Sequence, residues 1–174
     1  QNITIPVDSL YAINRKLIDK DVNRFSFCQN PIELEIKNRP ESKIIEIPIH
    51  PDKKETKAVK ADKIFISSID FEKFKDKEIR LLHLYNIKLG SEISNNKAEA
   101  KFTTLENKDI QKLNWVSDYV FSSILMPNGE KVQGYAEQSI KTLKISELVQ
   151  FERFGFCRFD NIKNNIYEFW FTHK

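Results

Sequence analysis

WVSDYVFSSILMPNGEKVQGYAE, residues 115–137, holds two strand-like runs joined at Asn128-Gly129. An Asn-Gly pair supplies positive φ at little steric cost, so the stretch reads as a β-hairpin. The same grammar extends outward in both directions. Upstream, Ile32-Glu33-Leu34-Glu35-Ile36-Lys37 alternates apolar and charged residues, the period of a half-buried strand, with Pro31 at its start. KIIEIPIH repeats the alternation at Ile45, Ile47 and Ile49, and its internal Pro48 predicts an edge strand or a bulge. KIFIS (63–67), EIRLLHLYNIKL (78–89) and KFTTLEN (101–107) read as further strands, the second a single long one ended by Gly90-Ser91. Downstream, IYEFWFTH (166–173) alternates strictly, with Tyr167, Phe169 and Phe171 on one face.

Helical spacing is scarcer. Residues 7–20 place Leu10, Ile13 and Leu17 on one face, with Asp8 or Ser9 able to cap, and this stripe needs something to dock on. SSIDFEKFKDK gives one or two turns capped by Ser67 or Ser68, with Phe71 and Phe74 facing inward. Roughly ten short strands and one substantial helix predict a mainly β chain. At this length the expected form is two consecutive small antiparallel β-barrels with a short N-terminal connector helix, not a Rossmann-type sheet. The best break lies near 108–114, dividing the chain into an N-terminal helical segment (1–22), a first barrel (23–112) and a second barrel (113–174), with strands open to exchange between barrels.

Composition narrows function mainly by exclusion. Hydrophobic residues at 40% and aromatics at 11% of 174 residues permit a core and exclude wholesale disorder. A net charge of +3 permits a phosphate-binding face without demanding one. DKKETKAVKADK (52–63) mixes its lysines with Asp52, Glu55 and Asp62 and reads as a solvated loop. Cys28 and Cys157, each flanked by aromatics, read as reduced core thiols. His50, His83 and His173 are far apart and no Cys-x-x-Cys exists, which argues against zinc. Glycines at 90, 129, 134 and 155 cannot build a phosphate loop, and Lys144-Ile145-Ser146 reads as a turn before a strand. No stretch is long enough to span a membrane and no signal segment opens the sequence, so a soluble cytoplasmic protein is expected. The lack of any catalytic constellation favours a binding module.

A family resemblance is carried by the order of short motifs. NRF (23–25), the Pro-led strand, IPIHP (47–51), IFISSIDF (64–71), EIRL (78–81), NWV (114–116), MPNG (126–129), QFERFGF (150–156) and FTHK (171–174) follow one another. The chain resembles, over about residues 9–174, the C-terminal anticodon-binding region of archaeal and eukaryotic-type glutamyl-tRNA synthetases, which is similar to that of glutaminyl-tRNA synthetases. The resemblance implies two consecutive barrels, with the N-terminal helix as the end of a connector from a catalytic domain. It implies a whole enzyme that joins glutamate to its tRNA with ATP and Mg²⁺. The class I catalytic signatures, of His-x-Gly-His and Lys-Met-Ser-Lys type, are missing from this sequence. The implied role is therefore non-catalytic, that of a fragment or of one half of a split enzyme, and needs no cofactor in this chain. The implied partners are the glutamate tRNA and the catalytic part of the same synthetase, with neither membrane nor DNA.

Four residues carry over. Arg24, Gln150 and Arg153 match positions that share the central anticodon base in the glutaminyl relatives, and Arg80 matches one that contacts an outer base. Leu82 stands where the relatives have a second Arg, so the other outer base is read differently or loosely. Gln150 can donate and accept, whereas Arg24 and Arg153 only donate, a set that suits a uracil edge. Gln150 and Arg153 are three apart, which on a flat strand puts them on opposite faces. A shared base requires the strand to end or bulge, and Gly155 would allow it. Phe65, Tyr85, Trp115, Tyr119 and Trp170 could stack on bases, but burial in a barrel core is the favoured reading of each. Two alternatives stand beside this reading: the equivalent glutaminyl domain, and a protein-interaction module of a synthetase assembly that docks through the helix at 7–20.

Overall fold

The computed structural model describes residues 6–41 and 44–174, without the side chains of Val7 and Asp8. Residues 1–5 of the expected connector and Lys43 of KIIEIPIH lie outside the described residues. Helix α1 (Val7–Ile18) is followed by strands β1 (Asn23–Phe25), β2 (Phe27–Gln29) and β3 (Pro31–Lys37). β4 (Ile44–Pro48) and β5 (Thr56–Lys60) form a hairpin, and β6 (Phe65–Ser67) leads into α2 (Ser68–Phe74). Then come β7 (Glu78–Leu81), β8 (Asn86–Ser94), β9 (Lys97–Thr104), β10 (Lys112–Leu113), β11 (Tyr119–Leu125) and β12 (Lys131–Glu137). A 3-10 turn at Gln138–Thr142 precedes β13 (Leu148–Phe151), β14 (Gly155–Lys163) and β15 (Ile166–His173).

These strands make two nearly closed, barrel-like sheets. The seven-stranded sheet runs β1-β13-β14-β15-β11-β12-β2, and the six-stranded one runs β10-β7-β8-β9-β3-β6. The first closes through the chain itself, because β1 and β2 stand at opposite ends of the strand order yet only Ser26 separates them. The second closes through an antiparallel bridge between Phe65 of β6 and Val116, just beyond β10. Residues 23–29, which the chain order groups with the first barrel, hydrogen-bond into the seven-stranded sheet. The six-stranded sheet is thus built from a segment inserted between β2 and β11. Four pairs, β1–β13, β3–β9, β7–β10 and β11–β15, run parallel, so both sheets are mixed.

Alternation explains the cores. Ile32, Leu34, Ile79, Leu81 and Ile87 point with Phe71 into one cluster; Phe25, Phe27, Val149, Phe151, Phe159 and Phe169 build the other. Each fully buried side chain of this size contributes about 1.5–3 kcal/mol relative to exposure. Cys28 and Cys157 are free and buried, and burial pushes both thiols well above their usual range.

Several local expectations are corrected. Residues 78–89 are a hairpin, not one strand: Leu82–Tyr85 reverses the chain, with His83 at φ 61° and the Leu84 N–H donating to the Leu81 carbonyl at 2.9 Å. The apolar run there contains none of the usual turn residues. Gly90 does not end the strand but lies inside β8, where a Cβ would stand 2.8 Å from the Glu99 carbonyl oxygen. The reversal comes at Asn95-Asn96, with φ of 50° and 59°, as a tight hairpin turn demands. At Asn128-Gly129 only Gly129 takes positive φ (85°), and the loop closes more widely, from the Met126 N–H to the Glu130 carbonyl at 2.8 Å. Residues 52–63 are not simply a loop, since β5 pairs with β4 and half-buries Val59. Fifteen strands occur among the described residues, several too short to show a period.

Helix α1 also departs from its expected docking. Pro6 precedes it and accepts from the Ser9 N–H at 3.0 Å, with no side-chain cap. Leu10, Ile13 and Leu17 are exposed, at 58%, 63% and 70%. The docked stripe is Tyr11-Asn14-Ile18, which has the same helical spacing but mixed polarity and is therefore less visible in the sequence.

Candidate nucleic-acid interface

The parallel pairing of β1 with β13 sets Arg24 directly opposite Gln150. Their neighbours Phe25, Val149 and Phe151 enter the core, so Arg24 and Gln150 face outward. The row continues through Phe156 to His173. Helix α1 is pinned over it at both ends. Tyr11 stacks on His173 at 5.7 Å, and Asp19 lies 3.4 Å from Arg24. The turns from Tyr11 to Asp19 span about 12 Å, close to the about 14 Å of three strand spacings. Between these anchors Phe156 is wholly buried and Gln150 nearly so. Arg24 Nε, Gln150 Oε1 and His173 Nε2 are buried with no hydrogen-bond partner among the described residues. Three unmet polar atoms along one row are costly unless something completes them.

Arg153 stands at the end of this row. The strand does not run flat through 149–156. It stops at Phe151, the Glu152 N–H donates to the Phe25 carbonyl at 3.0 Å, and the Phe154 N–H donates to the Phe151 carbonyl at 3.0 Å. Arg153 takes φ 62° at the tip, exposed, and Gly155 (φ 150°) re-enters opposite Phe151. A Cβ on Gly155 would lie 2.5 Å from the Phe171 ring, so glycine is required there. The bend removes the geometric objection to Gln150 and Arg153 acting together.

Charge around the turn is mixed. Burial raises the Glu152 carboxyl above its ordinary value, against the pull of Lys57 and Arg24. Burial likewise raises Asp70, opposed by Arg153 and Lys73. Arg153 thus acts electrostatically on both Glu152 and the Asp70 of α2. Lys57, expected in a loop, instead donates to the Arg24 carbonyl at 2.8 Å and pairs with Glu137 at 2.6 Å. Glu137 also accepts from the Ser26 N–H at 2.7 Å and from the Ser139 hydroxyl. The alternation Lys57-Val59 is the signal that could have revealed Lys57. His173 gives none, being an isolated His at a strand end.

Arg80 sits elsewhere, on β7 of the six-stranded sheet, and its guanidinium is heavily engaged. It donates to Asn86 Oδ1 (2.9 Å), to the carbonyls of Leu105 (3.3 Å) and Glu106 (2.9 Å), and to that of Leu84 (3.1 Å). These contacts brace the 82–85 turn. Leu82 is half-buried and its carbonyl accepts from Trp115 Nε1 at 2.8 Å.

The five stacking candidates separate cleanly. Tyr85 and Trp115 are core residues. Phe65 and Tyr119 belong to a half-buried cluster with Tyr135 and the exposed Phe121, in which the Tyr119 and Tyr135 rings lie 3.7 Å apart. Burial and the Tyr119 hydroxyl push Tyr135 up to about 12. Trp170 is 47% exposed, with the Arg158 guanidinium 4.7 Å over its ring. No three His, Cys, Asp or Glu side chains among the described residues converge as metal ligands. None of the described helices is long and apolar enough to cross a membrane.

Fused barrels that set an Arg opposite a Gln, beside a turn tipped by an exposed Arg, have the geometry of a recognition module. Comparison with known proteins specifies which. A family model described as "tRNA synthetases class I (E and Q), anti-codon binding domain" matches residues 22–108, and a second of the same description matches residues 91–160. The chain belongs to this family of anticodon-binding domains. Similar curated relatives are named glutamate–tRNA ligase. That of Methanocaldococcus jannaschii is 33% identical over 177 residues, covering 96% of this chain and 31% of the relative. Those of Methanosphaera stadtmanae (32% over 183 residues) and Thermococcus onnurineus (31% over 185 residues) each cover 98% of this chain and 32% of the relative. The chain therefore spans about a third of the length of the curated relatives it matches.

Proposed function

We propose that this chain recognises the anticodon loop of the glutamate tRNA on behalf of a glutamate–tRNA ligase. The observation that carries the reading is the register of Arg24 opposite Gln150, beside the Arg153 turn, with unmet buried polar atoms on both paired residues. A splayed base offers the edge groups that such atoms lack. Arg24, Gln150 and Arg153 are assigned the central base. Arg80 is assigned an indirect part, holding the 82–85 turn from which an outer base would be met. The glutamate rather than the glutamine tRNA is favoured because the similar relatives named above are glutamate–tRNA ligases.

Aminoacylation, with its ATP and Mg²⁺, is assigned to the catalytic part of the same synthetase, in the cytoplasm. The exposed Leu10-Ile13-Leu17 stripe is the surface assigned to contact that catalytic part. Binding of the chain to glutamate tRNA and to an unrelated tRNA tests the reading. Wild-type protein is expected to prefer the former, and Arg153→Ala to lose most of that preference. Equal affinity of the wild-type chain for both tRNAs would refute it.

A further inference from the structure

Along the flank of α1 runs an open groove of about 740 Å³. Arg15, Lys16, Lys20 and Lys174 line it, with Asp19 and Asp52 as the acidic members. Asp19 is already engaged by Arg24. Among the described residues none of the four cations has a side-chain carboxylate within 4.0 Å. The ordinary explanation for basic residues late in a helix is its dipole. That accounts for Arg15 and Lys16 but not for Lys174, which arrives from the end of β15. The groove is firmly built, because Tyr11 in its wall stacks on the buried His173 immediately before Lys174. It also abuts the recognition row at the contact between Asp19 and Arg24.

We propose that this groove holds the sugar–phosphate backbone of the RNA whose base is read at Arg24 and Gln150. The inference rests on the anticodon reading and adds a sequence-independent contact to it. Unpaired cations beside a base-reading row match the division between contacts that position a nucleic acid and contacts that specify it. An acidic protein segment is the competing occupant. It is disfavoured because the exposed apolar residues of α1 lie on its other flank, leaving the groove without the apolar anchors that a protein interface ordinarily uses.

The test uses the whole 174-residue chain carrying Arg15→Gln, Lys16→Gln and Lys20→Gln together. Affinity for glutamate tRNA and for an unrelated tRNA is followed by fluorescence anisotropy across a salt series. Removing one cation from a phosphate should make the log K versus log salt slope shallower by about 0.7–0.9. The triple variant should thus flatten by about two units and weaken for both RNAs by the same factor, leaving their ratio unchanged. Should the triple variant melt early, Lys16→Gln and Lys20→Gln alone carry the test, each flattening the slope by about one unit. An unchanged slope overturns the groove. If Arg153→Ala still abolishes preference in that case, the anticodon reading stands without it. A wild-type chain that binds neither RNA overturns both, and a vanished preference with an unchanged slope shows that these cations act on the base site and not on phosphates.

Discussion

The Lys57 ammonium of the β4–β5 hairpin lies 2.6 Å from the Glu137 carboxylate of the seven-stranded sheet, and both side chains are almost fully buried. The same Lys sits 5.0 Å over the Phe25 ring, one residue from Arg24. Removing one partner leaves a buried charge alone, which typically costs about 3–5 kcal/mol. Lys57→Met should therefore lower stability by about that amount, and Lys57→Met with Glu137→Leu by less than either change alone. Urea denaturation of the three variants measures it; additive losses would show that the two charges do not act as a pair.

Two glycines make contrasting predictions. At Gly134 a Cβ would collide with the Cys28 carbonyl oxygen, so Gly134→Ala must push β12 and β2 apart. At Gly129 nothing lies within 4 Å, and only its φ of 85° opposes a side chain. Gly129→Ala should cost about 1 kcal/mol, and Gly134→Ala distinctly more. Thermal melts of the two variants, compared directly, decide the order.

Much of this architecture is legible in residues such as Ile32, Leu34 and Phe169, whose alternation states both strand and inward face. Of the hairpin reversals, that at Asn128-Gly129 is legible in the sequence, whereas Gly90 marks none and lies inside β8. His83 turns the chain inside an apolar run, and no local rule names a histidine as a turn residue. The outward stripe of α1 misleads for a related reason. Hydrophobic spacing says which residues share a face but not what that face meets, and the docked face relies on Tyr11 and Asn14 reaching His173. At the site, the motif order supplies Arg24, Gln150 and Arg153. Their register is a property of distant strands pairing, invisible to any local pattern.

Glu152 should give stability an unusual pH dependence. Folding raises its carboxyl above the unfolded value near 4.5, so the native state holds that proton more tightly. Its contribution is complete below the unfolded value and is lost as pH rises through the raised native one. Glu152→Gln should then stabilise the chain at neutral pH, with the gain vanishing in acid. Urea midpoints of wild type and variant at about pH 4 and pH 7 test the sign; a gain that is equal at both would contradict it.

Arg80 is predicted to matter to the fold more than to the base. Its hydrogen bonds reach three backbone carbonyls and Asn86. Arg80→Met should cost about 2–3 kcal/mol of stability and expose the 82–85 turn to proteolysis. Loss of tRNA preference with stability intact would instead place this guanidinium on the RNA.

Arg153 separates recognition from folding in the opposite way. At φ 62° a glycine fits without strain, so Arg153→Gly should retain or slightly raise stability, within about 1 kcal/mol. Its preference for glutamate tRNA should fall as in Arg153→Ala. A paired melt and binding titration read both quantities from one preparation.

Because residues 23–29 seal the seven-stranded sheet, the order of synthesis and the order of folding are at odds. This short segment precedes in the chain, by a long interval, the strands of Gly134 and Gln150 that claim its two edges. The intervening stretch can meanwhile assemble its own six strands, keeping that segment tethered close to where its partners will emerge. Pairings so distant in sequence make for slow closure. Cutting the chain between its two barrels would therefore not yield two independent halves, since the later half would lack the strand that completes it.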